Sequence, residues 1–105
     1  MDSESTARNL GIGQDELLEL LEVFLEASRA DLEALEVALE AGEFETAADT
    51  AHSLKGAALN LELEEIARLA RDLEMIAKSS RLAGADSQIT ALRHKLEDLD
   101  QTVHP

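Results

Sequence analysis

The sequence predicts an all-α fold: an antiparallel up-down four-helix bundle with a short N-terminal extension. Three observations lead there. Leucine and alanine, both strong helix formers, supply most of the packing material, because the chain has only two aromatics, Phe24 and Phe44, and a single proline, Pro105. Apolar residues recur at alternating steps of three and four in four successive segments. The breaks between segments are short, which favours antiparallel neighbours, and seams of this period favour nearly parallel axes. At 105 residues, with 45% hydrophobic side chains, the chain has the size of one domain. Residues 1–13 read as a partly ordered extension and residues 14–105 as the bundle.

The extension, "MDSESTARNLGIG", has no sustained period, and Leu10 and Ile12 are its candidates for covering one end of the bundle. The first long helix is expected between Asp15 and Ala41, with a seam of Leu18, Leu21, Leu25, Ser28, Leu32, Leu35 and Leu39. Gly42 stands where a left-handed C-terminal cap belongs. A second seam follows in Phe44, Ala47, Ala51, Leu54, Ala58 and Leu61. The third helix, from about Glu64 to Ser79, offers Ile66, Leu69 or Ala70, Leu73, and Ile76 or Ala77. The segment "SSRLAGAD" breaks the pattern, with Gly84 as a stop and Asp86 as an N-cap. Ile89, Leu92, Leu96, Leu99 and Val103 form the fourth seam. Each seam is only about two to three heptads long and is punctuated by turns, so a monomer is expected rather than a self-associating coiled coil.

Charge narrows the choice of partners. A formal charge of -14 repels a phosphate backbone, and no basic stripe is present to release counterions, so no nucleic acid is expected. No apolar run approaches the ~20 residues that span a bilayer, and "MDSESTARN" lacks a secretory hydrophobic stretch. A cytoplasmic chain with no membrane contact is expected. The absence of cysteine excludes disulfides, thiol catalysis and cysteine-ligated zinc.

One stretch carries residues that a helix does not favour. "AHSLKGAALNL", from Ala51 to Leu61, places His52, Lys55 and Gly56 within a turn of each other, and glycine alone costs a helix interior roughly 1 kcal/mol relative to alanine. At about 100° per residue, His52 lies roughly 130° from the centre of the second seam and therefore faces outward. A lone outward histidine is ordinarily a solvated residue. Here Lys55 adds a cation within reach of anything attached to His52, Gly56 removes side-chain bulk beside it, and Ala48 and Leu59 give a low apolar border suited to docking.

These residues resemble the signature of histidine-containing phosphotransfer (HPt) domains of two-component phosphorelays: His, any residue, an aliphatic, Lys and Gly, then small residues and an Asn-Leu pair. The resemblance runs from "LLEVFLEASRADLEALEVALEAGEFETAADTAHSLKG" through "LARDLEMIAK". It implies that His52 Nε2 accepts a phosphoryl group, that Lys55 helps neutralise it, and that Gly56 lets a partner's active site come close. Glu74, 22 residues after His52, stands where many members place Gln or Glu to bond the other imidazole nitrogen, and a glutamate there is similar to the phosphotransfer domains of chemotaxis kinases. Its alternative is a solvated carboxylate paired with Arg71 or Lys78. The resemblance further implies a response-regulator receiver domain or a sensor histidine kinase as partner, with the aspartate and Mg²⁺ supplied by the receiver and no cofactor held by this chain. Two departures stand out: "NLELEE" lacks the glycine that often follows the Asn-Leu pair, and Ala57 replaces a frequent Ser or Gly.

No P-loop and no kinase glycine loop is present, so a phosphocarrier without ATP-dependent kinase activity of its own is expected. Two rival readings stand beside it. One is a purely structural helical interaction module in which His52 and Lys55 are incidental. The other is a metal site built from His94, Glu97 and Asp98; with no second histidine nearby, no metal is expected. His104 reads as a frayed-end residue.

Overall fold

Left-handed residues divide the chain into helices. Gly42 and Glu62 have φ of 75° and 59°, and each ends a helix in the same way. The Gly42 N–H donates to the Leu39 carbonyl at 3.1 Å and the Glu43 N–H to that of Ala38 at 2.8 Å, a Schellman motif. The Glu62 N–H donates to Leu59 at 3.1 Å and the Leu63 N–H to Ala58 at 2.9 Å. Glu62 therefore takes the backbone role for which glycine is the usual residue.

The structure, a computed structural model, describes residues 2–105, and among them are five helices and no strand. In chain order they are α1 (Ser3–Leu10), α2 (Gln14–Glu40), α3 (Phe44–Asn60), α4 (Glu64–Lys78) and α5 (Ala85–Val103). The expected extension thus contains a helix of its own, while Met1 lies outside the described residues. Asp2 caps α1 by accepting the Ser5 N–H at 3.2 Å, and Thr6 and Ala7 are buried on its inner side. Leu10 and Ile12 pack against the core. At the other end, α5 begins one residue before the expected cap: Gly84 is the N-cap, and Asp86 lies in the first turn, where its charge favours the helix dipole.

Within the fold α2 packs on α3 and α5, and α4 packs on the same two helices, so the four long helices close a ring of contacts; α1 lies on α2. Leu17, Leu21, Leu35, Leu54, Leu73 and Leu92 are fully buried at its centre. The seam of α2 starts at Leu17 rather than Leu18, and at the paired choices on α4 Ala70 and Ala77 are buried while Leu69 and Ile76 are partly covered. The most extensive contact joins α3 and α4. Their buried residues are largely alanine, Ala47, Ala48, Ala51 and Ala58 on one and Ala67, Ala70 and Ala77 on the other. Small residues let helix axes approach closely, which brings polar side chains at the edge of this contact within bonding distance. No helix among the described residues is long and apolar enough to cross a membrane.

Candidate functional site

The edge of the α3–α4 contact carries the site. His52, on α3, has a side chain 64% exposed, and its Nδ1 lies 3.1 Å from Glu74 Oε2 on α4. The Glu74 side chain is only 8% exposed. Three nitrogens compensate for that burial. Lys55 Nζ donates to Oε1 at 3.1 Å, and Lys78 Nζ lies 3.1 Å from Oε2. Burial opposes ionisation of Glu74, but the hydrogen bonds and charges of Lys55 and Lys78 outweigh it and hold the carboxyl below its ordinary value.

The ionised carboxylate decides the state of the ring. It has only acceptor positions, so Nδ1 of His52 is the donor in this bond, and in the neutral ring that leaves the lone pair on Nε2. The exposed ring can thus present a nucleophilic nitrogen to a reactant arriving from solvent, while a fixed negative charge lies behind it.

The other predicted residues fall into place unevenly. Lys55, one turn from His52, is 23% exposed and bonds Glu74, so its ammonium is anchored rather than free beside the ring. Gly56 is half-buried, and a Cβ built there meets nothing within 4 Å, so packing inside the fold does not require glycine. Leu59 is exposed as expected. Ala48 is not: it is 6% exposed and belongs to the core. It lies seven residues before Lys55, and so on the same side of α3 as the lysine that reaches Glu74 of α4.

Lys78, one of the two cations expected to pair with Glu74, meets it on the same oxygen as His52, at the Glu-to-Lys spacing of four. One feature escaped the sequence. A groove of about 470 Å³ runs between α1, α2 and α3, lined by Leu10, Leu20, Val23, Ala57 and Leu61 among others. Leu20 and Val23 lie off the buried seam yet are apolar, which was its only signal. Among the described residues no three His, Asp or Glu side chains converge as a metal-binding group, so His94, Glu97 and Asp98 do not form one. His104, at the C-cap of α5, has its Nε2 3.0 Å from Glu22 Oε1, an exposed contact.

Comparison with known proteins agrees with the geometry. The model of the Hpt domain family matches residues 19–102. The structure is similar to that of histidine-containing phosphotransfer protein B (HptB) from Pseudomonas aeruginosa PAO1, with a TM-score of 0.85 and 27% sequence identity over 99% of this chain and 90% of that one. Comparison with curated proteins gives no match. Hpt domains exchange phosphoryl groups with response-regulator receiver domains and kinases. The chain belongs to the Hpt domain family and is a histidine phosphotransfer protein of a phosphorelay.

Proposed function

We propose that His52 is the phosphoacceptor, and that the chain carries a phosphoryl group between proteins as a monomer in the cytoplasm, on an antiparallel up-down bundle of α2 to α5. The observation that carries this reading is the exposed imidazole whose Nδ1 is tied to a buried carboxylate, leaving Nε2 open. In the transfer the Nε2 lone pair attacks the phosphorus of a receiver's aspartyl phosphate. The N–P bond forms as the P–O bond breaks, and the aspartate leaves as a carboxylate. The ring gains positive charge and keeps its Nδ1 proton; Glu74 is placed to stabilise that charge as it develops.

Positioning and charge neutralisation supply most of the catalysis of phosphoryl transfer, and this chain contributes only part of them. Lys55, a turn from His52 and bonded to the same carboxylate, helps neutralise the transferred group. The receiver supplies the aspartate and its Mg²⁺. Gly56 leaves room for the partner's active site, which accounts for a glycine that the fold itself does not need. Leu59 on one side and the groove by Leu20 and Val23 on the other offer the apolar surface for docking.

The test is transfer from a phosphorylated receiver domain to the wild type and to His52→Gln. The wild type takes the label, and the variant keeps its helical content and takes none, because the ring is exposed and supports little packing. Undiminished labelling of the variant overturns the assignment.

A further inference from the structure

Glu74 is held by two lysines, but they do not do the same thing. Lys55 donates to Oε1, the oxygen that His52 does not use, whereas Lys78 meets Oε2, the oxygen that accepts from the ring. A carboxylate fixed at Oε1 alone keeps freedom to turn about its terminal torsion, which is broad for glutamate. A second donor at Oε2 sets the plane of the group. Lys78 comes from the same helix one turn on, in the Glu-before-Lys order that helices favour. Its side chain is 66% exposed, so it fills no core space, and its stem is free to hold this one contact.

We propose that Lys78 is a positioning residue for His52: by sharing Oε2 of Glu74 with the ring, it keeps that oxygen charged and aimed at Nδ1, and so keeps Nε2 free. The role in transfer rests on His52 being the phosphoacceptor; the effect on the ring does not. A lysine in the last turn also suits the helix dipole, which is a purely structural benefit. That benefit would change stability without changing the proton on the ring, so the two roles separate experimentally.

The experiment compares the wild type, Lys78→Met, which keeps an apolar stem, and Lys78→Arg, which keeps the cation. Ring ¹⁵N shifts of His52 at alkaline pH report the Nδ1–H fraction, and labelling of His52 by phosphoramidate, a small donor that needs no docking, reports the rate. Lys78→Met should lower both the ratio of Nδ1–H to Nε2–H tautomers and the rate by about two- to fivefold, the range for one partly exposed ion pair, while Lys55 remains in place. Lys78→Arg should retain both. Unchanged ring shifts in Lys78→Met overturn the proposal whatever the rate does, since a slower rate alone would put Lys78 on the phosphoryl group. Altered shifts with an unchanged rate, or an equal loss in Lys78→Arg, overturn it as well. If the wild type takes no label, the phosphoacceptor reading fails and the ring shifts alone decide the role of Lys78.

Discussion

Glu74 is an acidic group in a costly place: its side chain is 8% exposed, yet nitrogens of His52, Lys55 and Lys78 each lie 3.1 Å from one of its oxygens. The lysines hold it below the ordinary carboxylate range against the opposing effect of burial. A group whose acidity is raised by folding favours the folded state when ionised. Its contribution is therefore present above the ordinary glutamate value and is lost as pH falls through the lowered folded value. The stability advantage of the wild type over Glu74→Gln, measured by urea unfolding, should shrink as pH falls below the ordinary glutamate value of 4.5. An advantage independent of pH would contradict the charged state assigned here. The outward direction of His52 was legible in the sequence, because it follows from angular position on one helix. The burial of Glu74 was not, since a carboxylate among cations reads as solvated until a lysine from another helix is placed against it. Ala48 failed for a related reason: alanine on the border of a seam is exposed or covered according to how closely the next helix approaches.

Helix ends are set by local backbone conformation, and there the sequence was informative. Gly42 marked the end of α2 because glycine adopts a left-handed φ without strain. The end of α3 was less legible because Glu62 fills the same role. A non-glycine residue in that region is strained by roughly 1–2 kcal/mol, and glycine gives back part of this as lost chain entropy. Glu62→Gly should therefore stabilise the fold by about 0.5–1 kcal/mol, and raise the melting temperature by about 2–8 °C for a domain of this size. The Asn9 Nδ2–Glu62 Oε1 bond that it removes is exposed and 3.2 Å long, and subtracts little. A lower melting temperature would show that this bond outweighs the strain. The helix in the extension stayed hidden because its eight residues span about two turns, too few for a period to emerge. Its start lies in Asp2, a cap that makes sense only with the helix behind it.

Across the whole molecule, a chain of net charge -14 gathers cations around one edge. Lys55, Arg68 and Arg71 line the groove between α3 and α4, and Lys78 stands beside Glu74. His52 sits at that edge, and across Gly56 from it Ala57 faces the apolar groove of α1, α2 and α3. The ring of helices fixes this arrangement, since the alanine-lined contact of α3 with α4 is what brings a carboxylate of one helix to an imidazole of the other. The central claim is that this contact selects one nitrogen of one histidine. Labelling the ¹⁵N-enriched protein with phosphoramidate and recording ³¹P and ¹⁵N spectra tests it most directly. A single acid-labile phosphoryl group is expected on Nε2 of His52, with the proton retained on Nδ1. Phosphate on Nδ1, on another residue, or on none would contradict it.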